Sequence, residues 1–296
     1  MALSKFLDPK CDLTFKRIFG SEKNKNILIH FLNDILGFTD ENAIQEVKFL
    51  STIMNPEIAS DKQSIVDVLC KDSHGNKYIV EMQVARDRGF EKRAQMYAAK
   101  AYSRQSGNYV DFKKVFFIAI SNSTLFPEEV EYLSTHNTRD TKTNGNYLQD
   151  FQFVFIELPK FTKHAVEQLE NTVERWCFFF RYAEDTNDED LRKITEQEPV
   201  IKLAYNELDK FHWDEKDLVA YEEKIMDVYK EENILAQKFD DAIKKGRQEG
   251  IQIGEEKGEM KAKIAVAKNL LKAGLSADLI AESTGLSVNE IQKLRN

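Results

Sequence analysis

Residues 65–84 read IVDVLCKDSHGNKYIVEMQV. Two runs suited to β-strands flank a turn, and each carries an acid where a core-facing position calls for an apolar side chain. Asp67 lies between Val66 and Val68, and Glu81 between Val80 and Met82, with Gln83 two places on. Strand side chains alternate faces, so 65, 67 and 69 share one face, as do 79, 81 and 83. The turn decides whether these are the same face. A three-residue loop, Ser73-His74-Gly75, pairs Asp72 with Asn76 and sets Asp67 opposite Glu81; it also puts Gly75 where a left-handed residue is wanted. A two-residue His-Gly loop would set Asp67 on the face of Met82 instead.

Two facing carboxylates repel, by about 4 kcal/mol for unit charges ~4 Å apart at an effective dielectric near 20. A shared proton, neighbouring cations or a bound metal would relieve this. Hard oxygen ligands with room for waters suit Mg²⁺, with Mn²⁺ as a substitute. Such an ion polarises a phosphodiester oxygen and lowers the pKa of an attacking water. Asp67, thirteen intervening residues, then Glu81-Met82-Gln83 therefore reads as the skeleton of a metal-dependent phosphodiesterase. The alternative is an exposed strand face on which the two acids pair with Lys62, Lys71 or Lys77.

Composition bounds the rest. The 296 residues are 42% hydrophobic and 31% charged, enough for a sizeable core with long solvated helices. Three scattered cysteines (Cys11, Cys70, Cys177) with no C-x-x-C pair, and five histidines without ligand spacing, argue against a zinc site or disulfide framework and suggest a cytoplasmic setting. The opening MALSKFLDPK lacks a signal-peptide pattern, and no run reaches the roughly 18 apolar residues of a membrane helix, so no membrane partner is expected. The net charge of −8 is uneven. Residues 1–120 hold 18 Lys/Arg against 15 Asp/Glu, and the remainder 24 against 35. The N-terminal part can thus still present a basic face to DNA.

Periodicity predicts a helix over LTFKRIFG with Asp12 as its cap and Gly20 as its end, and a second over NKNILIHFLNDILG with Ile27, Phe31, Leu32, Ile35 and Leu36 on one stripe. Strands are expected at 46–51, in both hairpin runs, at 113–121 and at 151–158, and a helix at 90–107. The run of six consecutive apolar residues within 113–121 indicates a strand covered on both faces. After Pro159 the strand signal ends, and helices are expected over 163–183, 187–213 and 215–272. The fold class is α/β with a C-terminal all-helical extension, divided as 1–162, 163–235 and 236–296. Gly246, Gly250, Gly254 and Gly258 recur every four residues, either as a groove for a close helix pair, which would suit a homodimer through the C-terminal helices, or as a weak solvated helix or hinge before the tail. The tail offers Ser276 and Ser287 as N-caps, the latter in a capping box with Glu290. It forms short helices in a helix-turn-helix-like order whose last member has few basic residues.

With these stretches in view, the chain resembles the Rpn family of recombination-promoting nucleases and transposases within the PD-(D/E)XK nuclease superfamily. The resemblance is carried by DLTFKRIFG (12–20), SIVDVLCKDSHGNKYIVEMQV (64–84), FEKRAQMYAAKAYSRQ (90–105), KKVFFIAIS and FQFVFIELPKF. It implies a restriction-endonuclease-like mixed sheet flanked by helices and a Mg²⁺-dependent DNA endonuclease of low sequence specificity. Asp67 matches the metal-binding Asp and Glu81 the first acid of (D/E)-x-K, and the Met82 backbone carbonyl is a further candidate ligand. Gln83 stands where a lysine is usual. It can hydrogen-bond a water or phosphate oxygen but brings no charge, so positive charge must come from elsewhere. Lys62, Arg93 and Tyr97 are the accessory candidates near the pair, and Asp12 an accessory acid. A nuclease fold retained only for binding DNA or a partner is the competing reading.

Overall fold

The computed structural model describes residues 4–54, 64–85 and 87–294. Eight strands form among the described residues: β1 (Val47–Phe49), β2 (Ile53–Met54), β3 (Ser64–Ile65), β4 (Val68–Asp72), β5 (Lys77–Gln83), β6 (Val115–Ser121), β7 (Leu133–His136) and β8 (Phe151–Glu157). Six build one sheet in the order β1-β4-β5-β6-β8-β7, and β2 pairs with β3 separately. The contacts of β5 with β6 and of β6 with β8 are parallel, and the others antiparallel. Helices α1 (Asp12–Phe19), α2 (Lys25–Leu36), α3 (Phe90–Ser103), α4 (Thr172–Tyr182), α5 (Asp188–Gln197) and α6 (Pro199–Leu208) accompany the sheet. Then follow α7 (Glu215–Lys272), α8 (Ala277–Thr284) and α9 (Val288–Lys293). This is a mixed sheet flanked by helices with a helical C-terminal region, the fold class expected from the sequence.

Alternation along the strands builds the layers. One face carries Cys70, Tyr78, Val80, Ile118, Ile120, Val154 and Ile156 into a core shared with helices α1, α2, α4 and α6. Phe15, Phe19, Phe31, Trp176 and Phe180 meet there with ring centroids 4.9–6.3 Å apart. Each fully buried side chain of this size stabilises the fold by about 1.5–3 kcal/mol. The polar edge of Trp176 is satisfied by Asp34, its Nε1 donating over 2.7 Å. The other face carries Leu69, Ile79, Phe117, Ala119 and Phe155 against Phe90, Ala94, Ala98 and Ala101 of α3. Strand β6 is buried at every position, as its unbroken apolar run demands. Helices α4 and α6 belong to the same core as the sheet, so residues 1–162 and the segment that follows share one hydrophobic interior.

Several boundaries differ from the sequence-based expectation. The predicted helix over 163–183 begins only at Thr172, where Asn171 caps it. The predicted helix over 187–213 is two helices, because Pro199 cannot donate to the preceding turn and starts α6 afresh. Strand β7, with the weak sequence LSTH, was not anticipated. Helix α7 runs as one element over 215–272, as expected. Ser276 precedes α8 without a side-chain capping bond, whereas Ser287 and Glu290 form the capping box.

The chain divides into two compact units, Met1–Ile225 and Met226–Asn296. In the first, Leu218, Tyr221 and Ile225 of α7 join the main core. In the second, Ile264, Ala267, Leu270 and Leu271 pack with Ile280, Leu286 and Ile291. Within the second unit α7 leaves Val228, Leu235, Phe239, Ile253 and Met260 exposed. A Cβ added at any of the four helix glycines would meet no atom within 4 Å. Among the described residues no helix is long and apolar enough to cross a membrane.

Candidate active site

The turn after β4 settles the register. Asp72 N–H donates to Asn76 and Gly75 N–H to Asp72, which leaves Ser73-His74-Gly75 as a three-residue loop with Gly75 at φ +88°. That left-handed position is strained for any residue with a Cβ. Asp72 ties the turn down, accepting from His74 N, Asn76 N, Asn76 Nδ2 and Tyr78 Oη at 2.8–2.9 Å. Val68 then lies opposite Val80, Leu69 opposite Ile79 and Lys71 opposite Lys77. One step further along this register, Asp67 faces Glu81.

At that step the backbone ladder ends and the side chains replace it. The Asp67 amide donates to Glu81 Oε1 at 3.0 Å, and the Met82 amide donates to Asp67 Oδ2 at 2.8 Å. Each carboxylate thus caps the other strand's backbone through one oxygen. Among the described residues, neither remaining oxygen, Asp67 Oδ1 or Glu81 Oε2, accepts a hydrogen bond. Glu81 is only 6% exposed. Burial first, and the charge of Asp67 second, push its carboxyl up to about 8, against the opposing pull of the Asp67 amide, Arg93 and Lys16. Burial also raises the Asp67 carboxyl, opposed by the Met82 amide and Lys16. Without a bound cation the pair therefore retains a proton near neutral pH.

Gln83 is held at both ends of its amide. Its Oε1 accepts from Arg93 Nη2 at 2.5 Å, and its Nε2 donates to the Ala85 carbonyl. Arg93 also pairs with Asp87, and its guanidinium lies over the rings of Phe90 at 4.9 Å and Tyr97 at 5.9 Å. Tyr97 itself is buried in the α3 layer, where burial, then Glu81, raise its phenol pKa. Lys62 lies outside the described residues.

Asp12 does not cap α1. Cys11 occupies the N-cap position and makes no side-chain capping bond. The carboxylate of Asp12 instead takes Lys16 Nζ at 2.6 Å, one turn along the helix. Lys16 Nζ stands 3.9 Å from Asp67 Oδ1, the oxygen left open above. Burial works against the Lys16 ammonium, but Asp12, Asp67 and Glu81 outweigh it and raise its pKa. Lys16 and Asp87 were missed from sequence. Lys16 sits four residues after Asp12 within DLTFKRIFG, and that spacing was the signal available; nothing local says that α1 reaches the hairpin.

The structure thus brings Asp12, Lys16, Asp67, Glu81, Gln83, Arg93 and Tyr97 into one neighbourhood. Its donor set fits a hard divalent cation: a buried carboxylate, Glu81, and a half-buried one, Asp67, whose charges oppose one another, each with an oxygen free of backbone bonds. Among the described residues no group of three or more His, Cys, Asp or Glu could hold a metal. A Mg²⁺ or Mn²⁺ ion held by two carboxylates and otherwise by waters and substrate oxygens needs no third such residue.

Comparison with known proteins adds the following. The family model described as PD-(D/E)XK nuclease family transposase matches residues 9–238. The model described as the C-terminal HTH domain of the Rpn/YhgA-like nuclease family matches residues 261–296. No curated protein and no solved structure matches the chain.

Proposed function

The chain belongs to the PD-(D/E)XK nuclease family transposases, with an Rpn-type C-terminal domain, and on that premise we propose that it is a divalent-metal-dependent DNA endonuclease of low sequence specificity that acts in recombination or on mobile elements. The observation that carries this reading is the interlock of Asp67 and Glu81 across the hairpin, with one open oxygen on each. Asp67 and Glu81 would hold Mg²⁺ or Mn²⁺, with the Met82 carbonyl as the adjoining backbone ligand. The ion, when bound, supplies Lewis-acid polarisation of the phosphodiester and a lowered pKa for the attacking water.

The chain's own residues carry the rest. Gln83, immobilised by Arg93 and Ala85, positions the water by hydrogen bonding. Lys16 brings the positive charge that Gln83 does not, to offset the negative charge that develops on the phosphoryl oxygens. Asp12 holds Lys16 in place. Arg93 fixes Gln83, and Tyr97 packs beneath it as a positioning residue. The family membership of residues 261–296 supports DNA contact by the tail, and the exposed apolar residues of α7 support a homodimer through that helix. The three free, buried cysteines suit action in the cytoplasm.

A second reading, a DNA-binding protein with little or no cleavage, is favoured by Gln83 where the superfamily has lysine. Plasmid nicking with Mg²⁺ or Mn²⁺ separates the two. Nicking by the wild type that falls at least a hundredfold in Asp67→Ala is expected. Equal nicking by both proteins, or none by the wild type, contradicts the nuclease reading.

A further inference from the structure

Three lysines stand in line across the sheet. Lys48 of β1 lies directly opposite Lys71 of β4, and Lys71 directly opposite Lys77 of β5. Directly opposed residues point the same way, and like charges so placed destabilise a sheet. Among the described residues none of the three forms an ion pair with a carboxylate. The row is extended by its surroundings. Burial first, then the charges of Lys71 and Arg104, lower the pKa of Lys77, which places Arg104 close by. The Lys113 side chain comes within 3.2 Å of where a Gly75 Cβ would be. An open concavity of about 390 Å³ adjoins the row, lined by Lys48, Lys71, Ser73 and His74, with Glu46 and Asp72 the acids beside it, the latter engaged by the turn and Tyr78.

Two members of the row have ordinary structural uses. Lys48 sits on the edge strand, where a charge discourages pairing with another sheet. Lys77 donates to the Ala101 carbonyl near the end of α3 at 2.5 Å. Lys71, between them, has neither use, and both of its cross-strand neighbours are cations. A polyanion laid across the row would turn this repulsion into attraction. Alternation also places the row on the sheet face of Leu69, Ile79 and Glu81. Lys77 is four residues from Glu81 along β5, about 13 Å at ~3.3 Å per residue. That is about the axial rise of four base-pair steps of B-form DNA at ~3.4 Å each.

We propose that Lys48, Lys71 and Lys77 form a phosphate-binding row that seats the DNA backbone about 13 Å from the Asp67–Glu81 site. The row rests on the reading of this chain as a DNA enzyme, yet it is tested without cleavage. The full-length Lys48→Gln/Lys71→Gln variant leaves Lys77 and its helix contact intact. Binding of a labelled 20-base-pair duplex is followed by anisotropy in EDTA over a range of NaCl. The control variant Lys202→Gln/Lys216→Gln removes the same charge elsewhere.

Loss of two phosphate contacts is expected to lower the slope of log K against log salt by about 1.8 and to weaken binding at 100 mM NaCl by about tenfold or more. The thermal midpoint should stay level or rise, since opposed like charges are removed. A slope equal to wild type, an equal fall in the control, or no binding by wild type at low salt would overturn the row. Unchanged binding alongside Asp67-dependent nicking removes the row and keeps the nuclease. A lowered slope without any nicking by wild type keeps the row and removes the nuclease.

Discussion

Replacing Glu81 by glutamine isolates the electrostatics of the carboxylate pair. Glutamine keeps the shape and the oxygen that accepts the Asp67 amide, but it cannot ionise. In the wild type, burial and Asp67 raise the folded-state carboxyl from an ordinary value of 4.5 to about 8. Between those values the folded chain binds a proton that the unfolded chain has lost, so stability must fall as pH rises. The contribution is complete below about 4.5, declines through the window and is spent above 8. One proton corresponds to about 1.4 kcal/mol per pH unit, so from pH 5 to 8 the wild type should lose on the order of 4 kcal/mol through this group. Against a typical total of roughly 5–15 kcal/mol, that is readily measured. Urea unfolding in chelator, followed by the fluorescence of Trp176 and Trp213, reports on the unit that contains the site. The wild-type curve should descend relative to Glu81→Gln by that amount, and Mn²⁺ should flatten it by displacing the proton. Parallel pH curves for the two proteins in chelator would refute the reasoning.

Two further substitutions probe the neighbourhood and the assembly. Lys16→Gln removes a half-exposed bridge, so stability should change by no more than about 1 kcal/mol while the turnover number for nicking falls roughly 10²–10³-fold; Lys16→Arg should recover part of it, and an unchanged rate in Lys16→Gln would exclude a catalytic charge. Leu235→Lys with Phe239→Lys places charge on the exposed apolar residues of α7 and should halve the mass seen by light scattering, whereas an unchanged mass would remove α7 from assembly.

The sequence carried the hairpin because its signals were local. Gly75 marks the left-handed loop position, that loop length sets the pairing, and the pairing brings Asp67 to Glu81. The covered strand β6 was equally legible, since an unbroken apolar run has few other uses. Lys16 was not, because its role depends on α1 meeting the hairpin, a contact between segments fifty residues apart. Asp12 read as a helix cap because an acid at a helix start usually is one, and only its position relative to Lys16 assigned it otherwise. Strand β7 escaped because LSTH takes its strand character from pairing with β8 rather than from intrinsic preference. The lysine row emerged only from the registers of β1 with β4 and of β4 with β5.

The most direct measurement is calorimetric titration of the full chain with Mn²⁺, in parallel with Asp67→Asn and Glu81→Gln, in two buffers of different ionisation enthalpy. Wild type is expected to bind with release of a proton near pH 7, and each variant to lose at least about tenfold in affinity. Binding by the variants equal to wild type, or no binding by wild type, would contradict a cation site shared by Asp67 and Glu81.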